Sequence, residues 1–282
     1  MSRHRASAPV LVLAFAAALV VCATGASARQ EPGFRVPPAG NLVVPEFADR
    51  DVAGLIAELD TALGPRQPAL SSDDAGYTLW TFVRRLQAGR LTPSQEASVV
   101  EHLLALGHAN TEIRSQLEQA RLMVETLTVG KTAPEAAGYD LQGREFKLSD
   151  YRGKVVVLAF SADWCGICRS QYPYYRFMQD LYANWPFAIL GVEASTREAA
   201  GRLKAQHGLA YRSWLDDPAG ENGRGGPIAS AWNVRGWPTT YVLDAHGVVR
   251  FVNLRDEDLL KGVRQLLTEH TETASDAAAR SR

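Results

Sequence analysis

Hydrophobic positions give different stretches of this 282-residue chain different textures. Apolar residues run almost unbroken from Val10 to Val21. Between Val52 and Val124 they recur at helical spacing, and four helices follow from the pattern. Val52, Leu55, Ile56, Leu59 and Leu63 mark the first, Leu79, Phe82, Val83 and Leu86 the second. Val99, Leu103 and Leu106 mark the third, and Ile113, Leu117 and Val124 the fourth. The third also has a start signal: Thr92 as N-cap, Pro93 as first helical residue and Gln95 completing a capping box, with Gly107 near the stop. Beyond Val129 short apolar runs alternate with helical stretches. Strands are predicted at 144–148, 155–161, 187–193, 239–244 and 248–253, and helices at 165–182, 196–207 and 256–267. The last two strands flank the turn Ala245-His246-Gly247 and pair antiparallel.

These elements predict an α/β class, a mixed sheet covered on both faces and preceded by a small all-helical region. The expected divisions are a leader at 1–28, a linker at 29–45 and a helical region at 46–128. A sheet domain follows at 129–268, then a loose polar tail at 269–282. The linker reading rests on Pro32, Pro37, Pro38 and Pro45 with Gly33 and Gly40. His102 and His108, six residues apart, do not stack on one helical face and read as solvated surface groups.

The leader has the three parts of a secretory signal: Arg3, His4 and Arg5, then the apolar run, then Ala26-Ser27-Ala28. The apolar run is short for a bilayer span, so cleavage after Ala28 and a periplasmic or secreted product are expected, with membrane anchoring as the outcome if cleavage fails. Thirty Lys and Arg against 31 Asp and Glu leave no basic field for nucleic acid. Removing Arg3 and Arg5 with the leader makes the balance 28 against 31. Of three cysteines, Cys22 leaves with the leader, and Cys165 and Cys168 remain in a compartment that permits disulfides.

That pair lies where a buried strand, Val155–Ser161, gives way to a helix. At a helix start, free backbone N–H groups stabilise a thiolate, so Cys165 is the expected nucleophile. Cys168, one turn on, is placed to resolve a mixed disulfide. Arg169 would favour the thiolate and Asp163 disfavour it. Half a zinc site and a purely structural disulfide are the competing readings, but no histidine pair supplies the missing ligands, and so small a loop would constrain little of the unfolded chain.

From Val129 to about Leu267 the chain resembles the thioredoxin fold and, within it, exported thiol–disulfide oxidoreductases of the TlpA/ResA type. The features that carry the resemblance are Gly130-Lys131-Thr132-Ala133-Pro134, Leu148 to Lys154, Trp164-Cys165-Gly166-Ile167-Cys168, Pro173, and Gly236-Trp237-Pro238-Thr239-Thr240. The resemblance implies a kink at Pro173 and a cis Trp237–Pro238 peptide beside the cysteines. It also implies client contact through Trp164, Trp237 and Pro238, no cofactor beyond the Cys165–Cys168 disulfide, and protein thiols with an upstream electron donor as partners. Ala159 stands where thioredoxin buries an acid, so proton handling must differ. Glu193, at a strand end, is the candidate for proton transfer, against an ordinary solvated acid. The segment from Asp216 to Gly226 reads as a flexible loop on the substrate side. Two other functions compete: a thiol peroxidase, opposed by Ala162 where that class has threonine, and a partner-binding helical protein with an accessory redox domain.

Overall fold

Four helices form where the period of the apolar positions predicts them, in a computed structural model that describes residues 42–64, 71–217 and 225–280. They are α1 (Asp49–Leu63), α2 (Ser72–Leu86), α3 (Pro93–Ala105) and α4 (Thr111–Leu127). Side-chain caps start three of them. Ser71 accepts from the Asp74 N–H, Thr92 and Gln95 complete a reciprocal capping box, and Asn110 accepts from the Glu112 and Ile113 N–H groups. The leader and most of the linker lie outside the described residues.

The second half opens with a small antiparallel pair, β1 (Ala137–Tyr139) and β2 (Glu145–Lys147), followed by a 3-10 turn over Leu148–Tyr151. The main sheet has five strands: β3 (Val155–Ser161), β4 (Phe187–Glu193), β5 (Arg212–Leu215), β6 (Thr239–Leu243) and β7 (Val249–Val252), in the order β5-β4-β3-β6-β7. Strands β3, β4 and β5 are parallel, and β6 and β7 join antiparallel. Helices α5 (Gly166–Ser170), α6 (Tyr172–Leu181), α7 (Arg197–His207), α8 (Pro227–Ala231) and α9 (Asp256–Arg280) complete the fold. The mixed sheet with flanking helices and a preceding helical region is the predicted class. All seven residues of β3 are buried, which is why an unbroken apolar run marks it.

Several expectations are corrected. The single helix expected over 165–182 is two, parted at Gln171, because Pro173 has no N–H to donate and instead sits in the first turn of α6. The tail expected to be loose from residue 269 continues α9 as far as Arg280; Ala274, Ala277, Ala278 and Ala279 are strong helix formers. Strands β1 and β5 are too short and too polar to have been read. His102 is not solvated: it is half-buried, with Nε2 2.8 Å from Asp60 on α1. His108 is also half-buried, and its Nδ1 accepts the Asn110 N–H at 3.1 Å.

The change of architecture near residue 128 is not a break in packing. One continuous core includes Leu59, Val83 and Val124 from the helices and Leu158, Phe160 and Tyr241 from the sheet. Across it the buried Gln87 amide donates to the Leu127 carbonyl at 3.1 Å and the Tyr241 hydroxyl at 3.3 Å. The apolar faces of the helices are therefore used within the chain itself.

Candidate active site

The loop Ala162-Asp163-Trp164 leaves the end of β3 and delivers Cys165 to the N-cap of α5. There the Cys165 sulfur accepts the Cys168 N–H at 3.1 Å. This is the position in which a thiolate gains a backbone donor. The two sulfurs are joined in a disulfide, with the Cα atoms 5.3 Å apart. Cys168 is 1% exposed and Cys165 5%, while Trp164 and Ile167 beside them are 56% and 58% exposed. The covalent pair is thus sunk at the foot of an exposed apolar rim, with Cys165 nearer solvent. Ala162 and Ala194 pack beneath it. The Arg169 guanidinium donates to the Asp163 carbonyl at 2.7 Å, closing the loop across the motif, and the Asp163 N–H donates to Ser195 Oγ at 2.8 Å.

Trp237 packs on the same cluster, and its ring meets Trp164 edge to face at 5.7 Å between centroids. The Trp237–Pro238 peptide is cis. Pro238 immediately precedes β6, where its missing N–H costs no ladder bond. The expected loop after Asp216 falls mostly outside the described residues. Its ends are ordered by Asp216, whose buried carboxylate accepts the Gly226, Ile228 and Ala229 N–H groups at the start of α8. A Cβ on Gly225 would lie 3.5 Å from the Trp237 ring, so this loop does border the site.

Behind the cysteines, the sheet carries a row of small residues in register: Thr240, Ala159, Gly191 and Ser213. The room they leave is filled by polar groups. Glu193, 5% exposed, accepts from Ser213 Oγ at 3.2 Å. Lys204 on α7 donates to Ser213 Oγ at 2.7 Å and to the Tyr211 carbonyl at 2.6 Å, with its ammonium 3.5 Å from the Tyr211 ring centroid. A Cβ on Gly191 would stand 2.4 Å from Ser213 Oγ and 2.9 Å from Glu193 Oε1, so glycine makes this arrangement possible. Tyr172, one turn after Cys168, places its hydroxyl 3.4 Å from Ser161 Oγ.

Burial pushes the Glu193 carboxyl above the usual range, against the opposing pull of Lys204 and the Ser213 hydrogen bond. Burial also lowers Lys204, to about 8, while Glu193 holds it up. The hydroxyls of Tyr172, Tyr175 and Tyr211 are all pushed up by burial. Glu193 is therefore not a solvated strand-end acid. Lys204, Ser213 and Gly191 were missed in the sequence, where nothing marks them; only the tyrosine-rich start of α6 hinted at a polar interior. Among the described residues no group of three His, Cys, Asp or Glu side chains could hold a metal ion. No described helix is long and apolar enough to cross a membrane.

Residues 129–252 match the AhpC/TSA family. The thiol-disulfide oxidoreductase ResA of Geobacillus kaustophilus is 33% identical over 125 residues, which are 44% of this chain and 68% of that protein. This chain belongs to the ResA-like thiol–disulfide oxidoreductases. A second relative, ResA of Bacillus cereus, is 27% identical over 147 residues, 51% of this chain and 81% of its own. Among solved structures, the thioredoxin domain of a thiol-disulfide oxidoreductase from Bacteroides vulgatus is 25% identical, with a TM-score of 0.44, covering 50% of this chain and 99% of its own. By its ResA relatives the protein is an oxidoreductase, and its helical region lies outside the AhpC/TSA match.

Proposed function

We propose that this is an exported reductant of protein disulfides in which Cys165 attacks and Cys168 resolves. The carrying observation is the geometry of the pair: a closed Cys165–Cys168 bond at a helix cap, with Cys165 toward the rim and Cys168 beneath it. In the reduced enzyme the Cys165 thiolate attacks one sulfur of a client disulfide, forming a mixed disulfide and expelling the first client thiolate. The Cys168 thiolate then attacks the Cys165 sulfur and expels the second. Two electrons pass to the client and the enzyme is left oxidised, to be restored by an upstream dithiol donor. Trp164, Trp237 and Pro238 line the place where the client strand lies. Glu193, raised by burial and in register with Ser161, whose Oγ lies 3.4 Å from the Tyr172 hydroxyl, receives the proton that Cys168 sheds. The disulfide is the only redox group this chemistry needs.

Reduction of insulin disulfides driven by dithiothreitol tests the assignment. Cys165→Ser should remove the activity, and Cys168→Ser should accumulate a mixed disulfide with the client. Full activity in Cys165→Ser would overturn the mechanism. Rapid peroxide consumption by the wild-type dithiol would favour a peroxidase instead.

A further inference from the structure

We infer that α2 extends the redox surface into a docking strip for an extended, acidic segment of the client adjoining its cysteine. The inference rests on the reading of Cys165 as the attacking thiol.

The outer face of α2 presents Tyr77, Trp80 and Arg84 at helical spacing. Tyr77 is 68% exposed and its ring lies 5.9 Å from Trp80. A Cβ on Gly236 would be 3.6 Å from the Trp80 ring, an ordinary contact distance, so the indole lies beside the loop that carries Trp237. Trp237 meets Trp164, which flanks Cys165. The rings thus fall in two pairs, Tyr77 with Trp80 on α2 and Trp237 with Trp164 beside the disulfide, joined where Trp80 lies against Gly236. The loop is held to the helices as well as touched by them: Arg235 donates to Gln119 on α4 at 3.1 Å, and the Asn233 amide contacts the Met123 sulfur.

Among the described residues the charge beside these rings is positive, and the guanidinium groups that carry it have neutral partners. Arg84 stacks 5.1 Å from the Trp80 centroid. Arg235 bonds Asn233 and Gln119, and Arg255 donates to the Pro238 carbonyl at 3.3 Å. Arg84 and Arg255 are close enough for one to feel the charge of the other. Asp256, the acid next to them in sequence, instead accepts from Gln171. Three guanidinium groups bordering exposed rings suit carboxylates interleaved with apolar side chains.

The test uses the full-length chain, reduced and freed of reductant, in single turnover. The probes are two matched peptides, each carrying its cysteine as a mixed disulfide with nitrothiobenzoate and flanked by Phe with either Glu or Lys. Attack by the enzyme dithiol releases the peptide thiol and the coloured thiolate, and leaves the enzyme oxidised. The acidic peptide should react about tenfold faster at low salt, with the ratio shrinking as salt rises. Arg84→Glu with Arg235→Glu should abolish or invert the ratio, and Arg84→Gln with Arg235→Gln should reduce it. Because the ratio is taken within one preparation, partial misfolding of a variant cancels. Equal rates in the wild type, or an unchanged ratio in both double variants, would overturn the strip. If neither peptide nor hydroxyethyl disulfide is reduced, it is the thiol mechanism that fails.

Discussion

The two halves of the molecule bury polar groups differently. In the helical half the buried polar side chains up to α4 are three neutral amides, Gln87, Gln95 and Gln116. Every buried carboxylate among the described residues lies in the sheet half: Asp140, Glu193, Asp216 and Asp217. A neutral amide needs only hydrogen-bond partners, whereas a buried carboxylate needs donors or a cation and still retains a desolvation cost. Asp140 meets that cost outright. Burial would raise it, but the Arg144 and Gln142 N–H groups and the Arg212 guanidinium hold it down at about 2. Glu193 does not, and remains raised. An interior carboxyl whose neutral form is favoured by burial is suited to proton chemistry. Among its described residues the helical half has no such group; its contributions are a shared core and a face beside the loop of Trp237.

The largest expected effect comes from breaking this contrast. Gln87→Glu places a carboxylate in the helical half and removes the amide that donates to Leu127 and Tyr241. The Leu127 carbonyl loses its donor and a charge is buried with the Tyr241 hydroxyl as its donor, at a cost of about 3–5 kcal/mol at neutral pH. Urea unfolding should show the loss, and it should shrink as the pH falls and the new carboxyl protonates. A loss below about 1 kcal/mol would show that the helical half accepts charge as readily as the sheet half.

Next in size is the cation behind Glu193. Lys204→Met removes the charge that opposes burial at Glu193, so its carboxyl should rise further and the pH profile of disulfide reduction should move to higher pH. A purely structural lysine would change the rate without moving the profile. Stability supplies an independent readout. Lys204 is lowered to about 8 in the folded protein, below its ordinary value, so the unfolded chain binds more protons between the two values. The lysine's contribution therefore makes wild-type stability increase as pH climbs from about 8 to 10, and the variant should lack that rise. The buried tyrosines, raised by burial, oppose this rise near its upper end, where the unfolded chain's tyrosines begin to ionise, but they do so equally in the variant. An unmoved rate profile together with an unchanged stability slope would detach Lys204 from the site.

The parts legible in the sequence were those governed by near neighbours. Strand β3 and strand β4 match their predicted limits, because both are continuous apolar runs buried on two faces. The disulfide pair and the capping box at Thr92 were equally plain, since each is a local spacing. What depended on distant segments was hidden. Whether Glu193 was a proton-transfer acid or a solvated strand end stayed open in the sequence, because its partners arrive from α7 and β5. Gly191 looked like any strand glycine until the position of Ser213 showed what a Cβ would strike. Trp80 read only as part of a helix, because its contact with Gly236 spans 156 residues of chain. The continuation of α9 past residue 269 was missed for the opposite reason: that stretch lacks an apolar period, and intrinsic propensity outweighed the lack.

The smallest effect sharpens the contrast from the helical side. Thr92 accepts the Gln95 N–H at 3.3 Å while Gln95 Oε1 accepts the Thr92 N–H at 3.0 Å, and the Gln95 amide donates to the Phe47 carbonyl at 2.8 Å. Thr92→Ala deletes one acceptor at the start of α3 and should cost about 1 kcal/mol in urea unfolding. The Thr92 and Gln95 side chains are neutral, and the Asp49 carboxylate that also accepts from the Gln95 amide at 2.8 Å is exposed, so the cost should be the same at pH 6 and pH 9. The pH profile of disulfide reduction should not move. A shifted profile would mean that strain in the helical half reaches the Glu193 network through the shared core, and the division between a neutral half and a titrating half would then describe composition without describing behaviour.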